Sequence, residues 1–265
     1  IRKIVGAAAF GGLAGLLLGR QAEKASGATV TTNFTNIAGQ IAFWDGASTI
    51  KGSDNLKWDD SYRNFIAGYS GNTVTLGAIG ATIGGGGDSG ITNKVTDNYG
   101  TVGGGAYNQA GNDAGSTTDA QCATVGGGYR NTASQPRATV GGGELNTASG
   151  LHAAVGGGYS NTAGNSYATV GGGNDNMASY PWATVGGGGG NTASGSCATV
   201  GGGGGNTASG AYATIPGGSS NLAGGDYSFA AGRRAQIGAA HSGAFLYADM
   251  SNYDFNSTAA NEFAV

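Results

Sequence analysis

From Ala123 to Tyr227 the chain runs small apolar, threonine, β-branched apolar, then breaks on glycine, and it does so every fifteen residues without a slip. Units open at Ala123, Ala138, Ala153, Ala168, Ala183, Ala198 and Ala213, and one of them reads "ATVGGGYRNTASQPR". The Ala-Thr-Val run alternates, and it is too short and too β-branched for a helix. The glycines that follow break any helix and permit a tight corner. Thr-Ala then gives a second short strand, and Ser-Gly a second turn. One repeat is therefore two short strands and two corners, a flat coil whose backbone pairs with the coils above and below it. A short fixed period of this kind predicts an all-β parallel β-roll, or solenoid, with 15-residue coils.

Alternation assigns the faces. Val125, Val140, Val155, Val170, Val185, Val200 and Ile215 form one inward column, with the alanine that opens each unit on the same side. The second-strand alanines, Ala133 to Ala223 at the same period, face them across the core. Asn131, Asn146, Asn161, Asn176, Asn191, Asn206 and Asn221 recur at the first corner. An asparagine in a turn bonds its own backbone and tolerates left-handed geometry, which predicts a turn role for this column. Arg137, His152, Tyr167, Trp182, Tyr212 and Tyr227, with Cys122 and Cys197, precede the first strand. Alternation puts them outside with Thr124 and its equivalents, as an inter-subunit seam, as plain surface, or as a ligand-reading stripe.

Looser copies begin near Asn64, at Ala81 and at Gly100, the last with an insertion of about eight residues before Ala123, and Ser228 opens an atypical final unit. The count is eleven coils, a rod of roughly 50 Å at about 4.8 Å per coil. The organisation read from these shifts is a hydrophobic helix over 1–26, a β connector over 27–63, the roll over 64–227, and a terminal coil with a cap or exit strand over 228–265. The ending "NEFAV" reads as mid-strand, so a downstream portion is expected. In the first segment Arg2 and Lys3 precede an uncharged run from Ile4 to Gly19. Sixteen helical residues cover about 24 Å, short of a comfortable membrane span. Gly11, Gly15 and Gly19 lie four apart on one helix face, which suits close helix packing. Two readings stand: membrane or assembly contact through residues 4–19, or a targeting segment.

Composition narrows the partners. Of 265 residues 57 are Gly and only 3 are Pro, with no Gly at every third position, so collagen is excluded. Charged residues are 10% and the net charge is −3, which excludes nucleic acid held through its phosphates. A core of Ala and Val is thin, and each buried methylene contributes only about 0.8 kcal/mol. Ordering a glycine-rich chain is entropically expensive, so association of several rolls is expected. Cys122 and Cys197 are five repeats apart, about 24 Å along the axis, too far for a disulfide.

Catalysis, cofactors and metals are not expected. No Lys-Ser/Thr follows the glycine runs, as a phosphate loop requires. "GGGGDSG" (Gly84 to Gly90) has a Ca²⁺-repeat flavour, but its aspartate does not recur. The two histidines, His152 and His241, sit in no metal-ligand spacing. Asp45, Asp54, Asp59 and Asp60 are read as turn and strand-end residues rather than as a glycan-cleaving pair.

The pattern "ATVGGGxxNTASG" resembles the head repeats of trimeric autotransporter adhesins, the YadA-like heads, and "YSFAAGRRAQIGAAHSGAFLYAD" (Tyr227 to Asp249) resembles the final repeat leading out of such a roll. The resemblance spans roughly Asn64 to Asp249. It implies a left-handed roll, three chains side by side and a role in attachment at the cell surface. The fifteen-residue period with its glycine triplet, and the absence of a heptad stalk, depart from that family. "IAFWDGASTIKGSDNLKWDD" (Ile41 to Asp60) is similar to a strand module of phage tail fibres and bacterial surface fibres. The leading expectation is an extracellular homotrimeric fibre or adhesin head that binds a surface, a glycan or matrix. The alternatives are a structural filament, sheath or spacer subunit assembled through its N-terminal helix and, more weakly, an ice-binding solenoid or a fibre-borne enzyme.

Overall fold

The computed structural model describes residues 31–32, 40–44 and 49–265, with side chains described from Asp54 onward. The helix expected over 1–26, with Gly11, Gly15 and Gly19, lies outside the described residues. What is described is an all-β parallel solenoid. Its lower end is closed by three strands: β1 (Thr31–Thr32), β2 (Gln40–Trp44) and β3 (Thr49–Asp59). Strand β3 runs antiparallel to β4 (Asn64–Ala67), the first strand of the roll, with Leu56 opposite Ala67 and Asp59 opposite Asn64. An antiparallel strand across the first coil covers an edge that would otherwise offer unpaired backbone groups.

Above β4 every pairing along the two sheets is parallel. One 16-stranded sheet contains β1 to β3 and one strand from each of thirteen coils, and a 12-stranded sheet lies across the core from it. Thr124 pairs with Thr139 and Val125 with Val140 in the first sheet, and Thr132 with Thr147 and Ala133 with Ala148 in the second. Backbone bonds of 2.9 Å from Thr124 N–H to the Ala138 carbonyl and from Gly126 N–H to the Val140 carbonyl tie one coil to the next. The core is one residue thick on each side. Val125 and its equivalents to Ile215, the opening alanines and the second-strand alanines are all buried.

One feature differs from the sequence expectation and two add to it. The roll has thirteen coils rather than eleven, because stacking continues past 228 without interruption. Thr214 pairs with Phe229, Phe229 with Phe245, and Phe245 with Phe263. These last coils have longer strands, Phe229–Gly232 and Phe245–Ala248, with Leu246 and Ile237 filling the interior. The insertion before Ala123 loops outside the stack, since Thr101 still pairs with Thr124. Buried Asp97 pins that loop: its carboxylate accepts from the Thr96 hydroxyl at 2.7 Å, from Asn112 N–H at 3.1 Å and from Ala120 N–H at 3.1 Å. The first corner also carries a ladder of its own. Tyr129 bridges Glu144, Glu144 bridges Tyr159, and so on to Arg233.

Candidate binding surface

The asparagine column sits at the first corner and bonds the backbone of its own coil, as expected, but it does not take the left-handed position. Asn131, Asn146, Asn161, Asn176, Asn191, Asn206 and Asn221 are buried, and none has a positive φ. The left-handed position at this corner belongs to the residue before each, such as Arg130 (φ 55°), Leu145 (φ 59°) and Asp175 (φ 54°). The side chain of Asn146 reaches in two directions. Its amide donates to the Gly142 carbonyl of its own coil at 2.9 Å and to the Gly158 carbonyl of the next at 2.8 Å. Its Oδ1 accepts from the backbone N–H of Asn161 at 3.0 Å. Buried polar groups are tolerable only when so paired, and among the described residues no buried side-chain nitrogen or oxygen lacks a partner.

The outer column is a second correction. Alternation extended one residue too far toward the N-terminus. The residue before each opening alanine is not in a strand with the threonines but at a left-handed corner. Arg137 (φ 58°), His152 (φ 58°), Tyr167 (φ 59°), Trp182 (φ 57°), Tyr212 (φ 59°) and Tyr227 (φ 56°) share that geometry with Cys122 (φ 61°) and Cys197 (φ 57°). In each the backbone N–H points to the preceding coil, as from His152 to the Pro136 carbonyl at 3.0 Å and from Tyr212 to the Ser196 carbonyl at 2.8 Å. The same position is Arg63, Gly80 and Tyr99 in the early coils, and Gly243 and Asn261 in the late ones, one residue for each of the thirteen coils.

A left-handed conformation costs an ordinary side chain roughly 1–2 kcal/mol and glycine almost nothing. In a chain with 57 glycines, only Gly80 and Gly243 use it here. At Gly80 the ring of Tyr99 leans into the space a β-carbon would fill, and at Gly243 the Asn261 amide does. The remaining rungs keep side chains in spite of the strain. Five of those side chains are rings stacked in file. His152 lies on Tyr167 with centroids 4.9 Å apart and planes 7° from parallel, Tyr167 lies on Trp182 at 5.7 Å, and Tyr212 lies on Tyr227 at 5.0 Å. The file is solvent-facing, with Trp182 57% and Tyr227 68% exposed.

Two other outward files complete the surface. The first sheet shows threonines, interrupted at Ala154, that give way to a stack of Phe229, Phe245 and Phe263. The second shows Thr132, Thr147 and Thr162, interrupted at Met177 and ending in Leu222 and Gln236. At the first corner Arg130 sits over the rings of Tyr107 and Tyr129, 5.0 and 5.3 Å from their centroids.

Titratable groups are scattered and locally engaged. Asp59 accepts from the N–H groups of Ser61 and Tyr62. The Asn112 side chain holds Asp119 below the usual carboxylate range, and the Ser251 N–H does the same for Asp249. Asp88 of "GGGGDSG" accepts from Ser89 N–H at 2.7 Å. Cys122 and Cys197 are free thiols. Among the described residues no three His, Cys, Asp or Glu side chains are placed to share a metal ion, and no helix is long and apolar enough to cross a membrane. The backbone conformation of the outer column was the feature hidden in the sequence. Its one signal was a run of Tyr, Trp, His and Arg at a position bracketed by turn residues, where Gly or Asn fits most cheaply.

No family model matches this chain, and the comparison with curated proteins finds no match.

Proposed function

We propose that this chain is the rod-like head of an extracellular, homotrimeric fibre or adhesin, that its outer corner column contacts a surface, glycan or matrix ligand, and that it does no catalysis. The observation that carries the reading is the combination of a minimal Ala/Val interior with a file of large side chains held at strained corners. Strained backbone that persists along a scaffold points to a use for the side chains it displays. Three chains side by side, a left-handed roll and a surface location follow from the resemblance to trimeric autotransporter heads. They agree with a core too thin to be generous with stability. A helix over 1–26 would supply the membrane or assembly contact through residues 4–19.

Light scattering on the full chain tests the assembly: a mass of three chains is expected, and a stable monomer removes the trimer. Retention on glycan- or matrix-coated surfaces tests the attachment role. A second reading, a filament or sheath subunit, draws on the last coil. There Tyr253, Phe263 and Val265 are exposed, and an open recess is lined by Tyr247, Phe255, Asp249 and Ser251. Growth of mass with concentration, without surface binding, would favour it.

A further inference from the structure

The ring file is broken at one rung. Trp182, Cys197 and Tyr212 occupy consecutive coils at the same left-handed corner. The middle one has a thiol where its neighbours have rings. Two rungs of about 4.8 Å separate the Trp182 and Tyr212 rings by about 9.6 Å, beyond the roughly 7 Å limit of a ring–ring contact. Each therefore keeps one bare face turned toward the other. Cys197, half-buried, forms the floor, with the Ser196 hydroxyl 3.9 Å from its sulfur. Asp226 accepts from Ala211 N–H at 2.9 Å and so lies beyond Tyr212, outside the slot.

We propose that this slot binds a neutral hexopyranose unit of a glycan chain, sandwiched between Trp182 and Tyr212. Three arguments select the occupant. No Lys or Arg occurs between Arg137 and Arg233, so nothing compensates a phosphate, a sulfate or a uronate. Two carbon–carbon contacts at about 3.5–4.0 Å account for about 7–8 Å, a flat ring's requirement; the remaining width suits a puckered, saturated ring with axial hydrogens. Such a sugar has apolar faces for the two rings and a hydroxyl rim for Ser196. This assignment rests on the attachment reading above and narrows it to one site and one ligand class.

The test titrates the full chain with maltohexaose, cellohexaose and, as the acidic counterpart, polygalacturonate, by calorimetry and tryptophan fluorescence. One of the neutral oligosaccharides is expected to bind and to shift tryptophan emission. Affinity should fall about tenfold or more in Trp182→Ala, in line with what one stacking partner contributes elsewhere. Cys197→Tyr should abolish it by completing the ring file, at a corner where tyrosine is already accommodated on the two following rungs. Tyr129→Ser, at the opposite corner, should bind as the parent does. Neutral binding that survives Cys197→Tyr overturns the slot, as does binding of polygalacturonate alone. Absence of oligosaccharide binding with retention on matrix overturns the slot and leaves the attachment reading standing. Absence of both removes the two together.

Discussion

Asn191 donates its backbone N–H to the Oδ1 of Asn176 across 3.0 Å, so that a side chain in one coil sets the position of the backbone in the next. The same Asn176 amide donates to the Gly172 and Gly188 carbonyls, each at 2.9 Å. Asn176→Ala leaves the buried Asn191 N–H and the half-buried Gly172 carbonyl without their partner, while the Gly188 carbonyl keeps Asn174 N–H; stranded groups cost about 1–3 kcal/mol each where water cannot replace the partner. The expected loss is about 3 kcal/mol by urea unfolding. Asn176→Asp should be worse, because a carboxylate would face two carbonyl oxygens in a buried site. A loss below about 0.5 kcal/mol for the alanine variant would show that the ladder is decorative.

The glycines of one triplet are not equivalent. A β-carbon at Gly141 would lie only 2.3 Å from the Gly156 carbonyl oxygen, which belongs to the next coil and cannot move without breaking the ladder. At Gly142 the nearest atom would be 3.8 Å away, and the residue is outside the left-handed region. Gly142→Ala should therefore be neutral or stabilise by up to about 1 kcal/mol, through the loss of unfolded-state freedom. Gly141→Ala should fold poorly or not at all. Equal behaviour of the two in thermal unfolding would contradict the assigned backbone contact.

What the sequence made legible and what it hid divide along a physical line. The Val125 and Ala133 columns were readable because alternation is a property of a single strand. The asparagine role between coils was not: the turn preference of Asn is a local rule, whereas its bonds to Gly143 and Gly158 type carbonyls exist only once coils are stacked. Arg137 and Trp182 were extended into the strand because nothing in the pattern marks the residue at which the backbone turns left-handed. The last coils escaped because their outward residue changes from Thr to Phe and their spacing widens, as the pairs Phe229–Phe245 and Phe245–Phe263 show. The column, Cys197 included, was legible from the period, but that its rings stack could be seen only after the coils were placed in register.

The strain at the outer corner is measurable where no ring stacking offsets it. Arg137 is exposed, has a φ of 58° and contributes no aromatic contact. Arg137→Gly removes a left-handed cost of about 1–2 kcal/mol and adds about 0.5–1 kcal/mol of unfolded-state entropy. The net expectation is a gain of about 0.5–1 kcal/mol, read as a higher Tm. Tyr167→Gly should not gain, since it forfeits stacks on both His152 and Trp182, worth about 0.5–1.5 kcal/mol each. A loss on Arg137→Gly would mean that the corner is not strained.

Acid should loosen the roll first at its last coil. Glu262 is held below the usual carboxylate range, chiefly by the backbone N–H of Thr258, with Ala259 N–H and the charge of His241 assisting. Phe245 in turn donates to the Glu262 carbonyl, so the position of Glu262 governs how Phe263–Ala264 meets the coil below. A carboxylate whose folded value lies below its unfolded value contributes its full stabilisation above the unfolded value. That contribution is lost as pH falls through the lower, folded one. Hydrogen exchange at Phe245, whose N–H donates to the Glu262 carbonyl, corrected for intrinsic rates, should thus be flat from neutral pH down to the ordinary carboxylate range and accelerate below it. Exchange in the Val170 and Val185 coils should not change over the same interval. In Glu262→Gln the acceleration should vanish and protection should be reduced at all pH values. A C-terminal coil that keeps its protection in acid would show that Glu262 does not anchor it.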